Sequence, residues 1–326
     1  MHCELAVPGL FAAAAGLRLP ALELLIARGR RSANESQPLE RWLLDAFSLD
    51  ESPLAVGALT LLAHGDDPAD KLWARADPVH LQLMRDHVVM VPGAAFSVSR
   101  EEAETLCAAL NQHFAGRLTL QAVDPQRWCI QLDEALELPA VSPLEPAGRQ
   151  RAADLPGDRL LNEIQMLLHE HPVNEAREAR GEPAINSLWL WGSGRAPQAA
   201  QGRWQSISAD DPVALGLARL ARARSRALPA SGEAWLERSP EDGRHLVVLD
   251  ALRAPIALGD TAACHGVLQA FERSWFAPLL AALRSGRIGM VTIHVPDAAS
   301  GVSCETIRAD LRRFWRRPRP LSGYLK

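Results

Sequence analysis

The spacing of apolar positions changes character twice along the chain. Over residues 1–70 it fits helices. "LPALELLIARG" sets Leu22, Leu25 and Ile26 on one face and stops at Gly29, "PLERWLLDAF" repeats the pattern with Leu39, Trp42, Leu43 and Phe47, and Pro53 to His64 is a third candidate. From Lys71 to Val91 the period falls to two. Leu72, Ala74 and Ala76, then Val79, Leu81 and Leu83, then Val89 and Val91 predict two or three strands, with turns near Asp77-Pro78 and Arg85-Asp86. Ser99 and Glu102 form a capping box before a helix whose apolar face is Ala103, Leu106, Cys107, Leu110 and Phe114. Leu118 and Leu120, then Trp128, Ile130 and Leu132, add two strands, so 72–133 is expected to run β-β-α-β-β.

The second change follows the Pro-rich stretch 138–148, "LPAVSPLEPAG", which has the composition of a linker. Beyond it, helices are expected at 158–170 (Leu160, Leu161, Ile164, Leu167, Leu168), at 212–226, and at 264–284 with a kink at Pro278. Strands are expected at 185–191, 245–250 and 288–294. Strands separated by helices predict an α/β fold with a doubly wound, mainly parallel sheet. The expected division is a discontinuous α/β domain over 1–71 and 149–326, with 72–148 as an inserted small α+β domain plus linker.

At 326 residues two structural units are the natural expectation. The formal charge of −4 argues against a chain that coats nucleic acid or anionic membrane, and confines any such contact to a local patch. The apolar stretch Leu5 to Leu17 has no basic segment before it, and no apolar run reaches the roughly 20 residues of a membrane span. Five scattered cysteines, with no CxxC pair, suit a reducing compartment rather than a disulfide scaffold or zinc finger. The expectation is a cytoplasmic protein with no membrane partner.

The stretch 182–197, "EPAINSLWLWGSGRAP", carries the main chemical question. Trp189 and Trp191 stand two apart on a strand and share one face, which core packing alone would explain. The functional reading places the strand end and the Gly192/Gly194 turn at the carboxyl edge of a sheet, where open α/β folds bind ligands. Asn174, Arg177, Asn186, Trp191 and Arg195 would then complete a site for an anionic small metabolite, because Arg forks suit phosphate or carboxylate. His169 and His171 point in two directions on a helix and suit a helix C-cap ahead of Pro172 better than a metal. The only Asp-His, at 86–87, falls in a predicted turn. Arg219, Arg222 and Arg226 are expected on one helical face. In "RRFWRRPRP", Arg312, Arg313, Arg316 and Arg317 surround Trp315: either a solvated surface or a local nucleic-acid contact, with Pro318 and Pro320 excluding a recognition helix.

The segment 160–197, with His171-Pro172-Val173-Asn174, Arg177, Asn186 and Trp189-Leu190-Trp191-Gly192-Ser193-Gly194, resembles archaeal-type cofactor-independent phosphoglycerate mutases of the alkaline phosphatase superfamily. "GDDP" (65–68), the lid-like 91–114 and "HLVVLDALRAPIALGD" (245–260) extend the likeness over most of the chain. The whole chain also resembles a proteobacterial group known both as phosphoglycerate mutase and as the regulatory protein RpfE. The resemblance implies an alkaline-phosphatase-like core with an inserted lid, two divalent metals and a Ser or Thr nucleophile. The residues that should supply this chemistry differ. The Asp-Gly ligand position falls on Pro8-Gly9 and the nucleophile near Ala55-Val56-Gly57. The Asp-to-His ligand cluster falls on Arg253 to Ala257, leaving Gly259-Asp260, and the late Asp-His pair falls on Asp297-Ala298.

The expectation is therefore a non-catalytic, phosphoglycerate-mutase-like regulatory or small-molecule-sensing protein, with no catalytic residue, metal or cofactor, and with an anionic metabolite or a regulatory protein as partner. Two alternatives stand beside it: an active mutase or phosphatase with a rearranged site, requiring Mn or Zn, and a regulator contacting nucleic acid through the arginine-rich C-terminus.

Overall fold

A computed structural model describes residues 1–14, 16–49, 52–85, 88–134, 136, 138–145, 159–238, 242–299 and 301–324. In chain order its strands are β1 (His2–Ala6), β2 (Arg30–Asn34), β3 (Leu72–Leu83), β4 (Val88–Pro92), β5 (Leu118–Asp124), β6 (Arg127–Leu132), β7 (Ser187–Gly194), β8 (Ser206–Ser208), β9 (Arg224–Arg226), β10 (Arg244–Val248), β11 (Met290–Val295) and β12 (Gly301–Ile307). They form two sheets in two units, Met1–Asp50 with Ala199–Lys326, and Glu51–Gln198.

The discontinuous unit holds a seven-stranded sheet in the order β2-β12-β11-β1-β10-β8-β9. From β11 through β9 every pairing is parallel, and β12 and β2 add antiparallel pairings at one side. This is the mainly parallel α/β sheet that strand and helix alternation predicts. Cys3, Leu5, Val247 and Ile293 line one face and pack into a core with Leu22, Leu25, Leu268 and Leu279 from the helices Pro20–Arg28, Thr261–Phe271 and Ala277–Ser285. On the other face the ring of His294 lies 5.0 Å from Trp42 of the helix Leu39–Ala46.

The contiguous unit holds a five-stranded antiparallel sheet, in which β4, β6 and β7 all pair with β3 and β5 pairs with β6. Ala74, Ala76, Trp128 and Ile130 pack against the helices Arg100–His113 and Arg159–His169. Trp73 and Cys129 cluster with Ala58 and Leu61 of the helix Val56–His64. The capping box is present: Glu102 N donates to Ser99 Oγ at 3.1 Å and Ser99 N to Glu102 Oε2 at 2.8 Å.

Several expectations change. The strand expected at 185–191 in the doubly wound sheet is β7, and it pairs antiparallel with β3. Asn186 pins this pairing, accepting from Leu81 N at 2.7 Å and donating to Leu81 O at 2.9 Å. No turn forms at Asp77-Pro78, because β3 runs through it. Pro78 falls between the β6 pairing (Leu72–Arg75) and the β4 pairing (Val79–Leu83), where an interrupted ladder accommodates its missing N–H.

The N-terminal stretch opens with a strand, β1, not a helix, and β2 and β12 are strands that periodicity missed. The expected helix 212–226 stops at Leu220. Arg222 takes φ 55 and Arg226 belongs to β9, so Arg219, Arg222 and Arg226 share no helical face. The expected helix 264–284 is divided: a π turn, Glu272–Phe276, joins the helices Thr261–Phe271 and Ala277–Ser285, and Pro278 stands in the first turn of the second. His171 does not close the helix Arg159–His169 as a C-cap but opens the next one, Pro172–Ala179, its Nδ1 accepting from Val173 N at 3.2 Å. The turn expected at 85–86 and the Asp-His at 86–87 involve residues outside those described, as does the last part of the expected linker.

Candidate functional site

In the larger unit, the carboxyl ends of β8, β10, β1 and β11 lead into Asp211, Asp250 with Arg253, Pro8-Gly9, and Asp297. Arg253 opens the helix Arg253–Leu258 and is only 6% exposed. Its Nη2 donates to Glu40 Oε1 at 2.7 Å, and its Nη1 lies 4.0 Å from Asp211 Oδ2. Glu40, 3% exposed, comes from the helix Leu39–Ala46. Asp211 caps the helix Pro212–Leu220, its Oδ1 accepting from Ala214 N at 2.9 Å. Burial pushes the Asp211 carboxyl up to about 6, helped by repulsion from Asp250 and Glu40 and opposed by Arg253 and the Ala214 N–H.

The positions where the resemblance implies metal ligands hold other chemistry. Pro8 has no donor side chain, and Ile256 packs against Gly9. Asp260 caps the helix Thr261–Phe271 through Ala263 N at 2.9 Å, and Asp297 closes a turn onto Ala299 N at 2.7 Å. Among the described residues no three His, Cys, Asp or Glu side chains gather in a metal-binding group. A divalent ion at this edge would have to displace a buried guanidinium already paired with the available carboxylate. The residues present do not fit the dinuclear centre.

A second polar network crosses the same unit. Glu4, fully buried in the middle of β1, accepts from Arg203 Nη2 at 2.8 Å and from Arg244 Nε at 2.8 Å. His294 Nε2 donates to Glu4 Oε2 at 3.0 Å, and its Nδ1 meets Ser303 Oγ at 2.8 Å. Burial alone would raise the Glu4 carboxyl, but the bond from His294 and the guanidinium charges outweigh it and hold Glu4 well below the usual carboxylate range. Ser303 also accepts from Asn34 Nδ2, which ties β2 to β12.

The residues expected at an anion site lie in the other unit, and the buried ones among them spend their side-chain polar atoms within the protein. Asn174 Nδ2 donates to Leu168 O at 2.7 Å and to Ile185 O at 2.8 Å, while its Oδ1 accepts from Ile185 N at 2.8 Å. Buried Arg177 donates to Pro183 O, Ser97 O and Glu102 and lies over the Phe96 ring. Trp191 Nε1 donates to Asp77 Oδ2 at 2.7 Å, and Asp77 is itself paired with Arg75. Gly192 has φ +60, and a Cβ there would stand 2.7 Å from Val56 Cγ2. A Cβ on Gly194 would stand 2.8 Å from Ala55 Cα. Gly192-Ser193-Gly194, expected as a turn, is instead the end of β7, and it approaches the start of the helix Val56–His64, where Ala55 takes the left-handed conformation (φ 47) and the resemblance implies a nucleophile. Ala55 and Val56 are buried and carry no hydroxyl. Arg195 is exposed and reaches Asp70 instead. These contacts all lie within the unit.

Of the C-terminal arginines, Arg313 pairs with Asp310 at 2.9 Å and donates to Arg28 O at 3.2 Å, and Arg316 donates to Gly29 O at 2.9 Å. Arg312, Trp315 and Arg317 are exposed.

Sequence reasoning missed Glu40, Asp211, Asp250 and Glu4. A signal existed for Glu40: Leu43, Leu44 and Phe47 follow it at three, four and seven residues, which places its carboxylate on an apolar stripe. Glu4 likewise sits inside a strand-length apolar run, "CELAV".

No helix among the described residues is long and apolar enough to cross a membrane. No family model matches the chain. A curated protein of Geobacter sulfurreducens, described as "Probable 2,3-bisphosphoglycerate-independent phosphoglycerate mutase", is 44% identical over 41 residues, which is 13% of this chain and 10% of that protein. The matched stretch therefore spans about a tenth of that relative's length. Among solved structures, the PH0037 protein from Pyrococcus horikoshii aligns over 94% of this chain and 87% of its own, at 15% identity and TM-score 0.58. A cofactor-independent phosphoglycerate mutase from Thermoplasma acidophilum aligns over 94% and 89%, at 17% identity and TM-score 0.45. The likeness to PH0037 is one of fold, and it runs through nearly all of this chain.

Proposed function

We propose that this chain is a non-catalytic relative of the cofactor-independent phosphoglycerate mutases whose metal-binding edge has become a buried ion-pair cluster, and that it serves as a regulatory or small-molecule-sensing protein of the RpfE type. The observation that carries this reading is Arg253. A guanidinium occupies the place where the resemblance implies the first ligand of a metal cluster, and Glu40 neutralises it at 2.7 Å. Val56, at the implied nucleophile position, is closed over by Gly192. The short stretch shared with the Geobacter enzyme supports common descent and leaves the activity open to change.

On this reading the "WLWGSGR" segment survives for packing, and the five free, buried cysteines suit a reducing cytoplasm. Its partner would be an anionic metabolite or a regulatory protein. Thermal shifts with a panel of phosphorylated and carboxylated metabolites test the sensing role, because ligand-linked stability follows RT ln(1 + [L]/Kd). A saturable shift with one of them supports sensing. No shift with any removes the small-molecule role and leaves the protein-partner role.

A further inference from the structure

A groove of about 710 Å³ lies between the start of the edge strand β2 and the C-terminal segment. Five arginines line it, Arg30, Arg31, Arg316, Arg317 and Arg319, together with Trp315, and no acidic residue does. The chain as a whole carries more acidic than basic residues, 39 against 35, so this concentration is local.

Part of this charge serves the fold. Arg313 and Arg316 donate to the carbonyls of Arg28 and Gly29 at the end of the helix Pro20–Arg28, where cations suit the negative end of the helix dipole. Arg31 lies over the Tyr324 ring, 5.0 Å from its centroid. Among the described residues, the side chains of Arg30, Arg317 and Arg319 have no hydrogen bond, ion pair or ring contact. Charged residues on an edge strand also discourage strand addition, which explains Arg30 without a ligand. That explanation does not reach Arg317 and Arg319, which lie outside any strand, nor the aromatic pair beside them. Phe314 and Trp315 are 77% and 66% exposed, and their rings meet edge to face with centroids 5.3 Å apart. Trp315 is thereby held at the groove with most of its surface in water.

Unpaired guanidinium groups beside an exposed indole are the combination that binds a sugar-phosphate chain while stacking its bases. We propose that this groove binds single-stranded nucleic acid, with Arg30, Arg317 and Arg319 on phosphates and a base on Trp315. A duplex does not suit it. Residues 313–320 are non-helical and carry Pro318 and Pro320, and only a single 3-10 turn, Leu321–Tyr324, follows, so no α-helix projects from the segment to enter a major groove.

The test is binding of the full chain to a fluorescein-labelled 12-nucleotide oligothymidylate, followed by anisotropy from 25 to 200 mM salt. Saturable binding is expected, with log K falling against log salt at a slope of about −2 for three phosphate contacts. Arg317→Glu combined with Arg319→Glu should weaken it at least tenfold. Trp315→Ala should weaken it roughly tenfold and leave the salt slope unchanged, because stacking releases no counterions. Neither variant removes a contact that the fold uses, so both should melt at the unmodified temperature. The comparison ligands are thymidine monophosphate, inorganic phosphate, a 12-base-pair duplex and phosphatidylserine vesicles. Absence of binding at 25 mM salt, indifference to both variants, or equal affinity for any comparison ligand would overturn the proposal.

Discussion

Arg253 Nη2 donates to Glu40 Oε1 at 2.7 Å, joining the first turn of one buried helix segment to the first turn of another. The sequence distance between them is large, and neither charge has water to fall back on. Buried pairs of this kind contribute little net stability against a well-packed apolar pair, yet removing one member strands the other.

Arg253→Ala should therefore destabilise the protein by about 3–5 kcal/mol in urea unfolding. Combining Arg253→Met with Glu40→Leu should recover part of that loss, since Glu40 is no longer stranded, while buried Asp211 still lacks the guanidinium that stood 4.0 Å away. An Arg253→Ala cost below about 1 kcal/mol would mean that the pair is not buried as described.

Asp211 gives the cluster a pH signature. Its folded-state value of about 6 stands above the ordinary aspartate range, so the folded state holds the proton more tightly than the unfolded one. Stability from this group is complete below pH 4 and declines as pH rises towards 6, by on the order of 2–3 kcal/mol. Glu4 acts in the opposite sense: held below the usual carboxylate range, it loses its contribution only as pH falls below about 4. Asp211→Asn retains an acceptor for Ala214 N and removes the decline between pH 4 and 6. Unfolding curves of both proteins at pH 4, 5, 6 and 7 should diverge in favour of the variant as pH rises.

The end of β7, with Arg195 just beyond it, separates packing from ligand binding. Gly192→Ala forces a side chain into a left-handed position and against Val56, and should cost about 2–4 kcal/mol. Arg195→Ala breaks only a contact to Asp70, whose side chain is 94% exposed, and should stay within about 0.5 kcal/mol. Paired melting measurements check both values. A larger effect from Arg195→Ala than from Gly192→Ala would reverse the assignment.

The periodicity of the sequence reveals the helices with strong apolar faces, the Ser99/Glu102 capping box and the alternation that builds a mainly parallel sheet. It hides β1, because "HCELAV" is too short and too apolar on alternate positions to be told from a helix start. It also hides the edge strand β2, whose residues "RRSAN" are all exposed and carry no pattern. The misassignment of β7 has a different cause. An apolar run such as "SLWLW" says that a strand is buried but not which sheet buries it, and the deciding contact is Asn186 on the backbone of Leu81, 105 residues away. That Pro8, Arg253 and Ala298 stand where the resemblance implies ligands is legible residue by residue. The charge pair made there is not, because Glu40 and Arg253 meet only after the chain has folded.

The most direct measurement is phosphoglycerate mutase turnover by the purified full-length chain with added Mn²⁺, with and without a chelator, beside an active cofactor-independent mutase as control. With a guanidinium at Arg253 and an apolar turn at Ala55-Val56, the account predicts no turnover above background and no effect of the chelator. Turnover that appears with Mn²⁺ and disappears on chelation would contradict it.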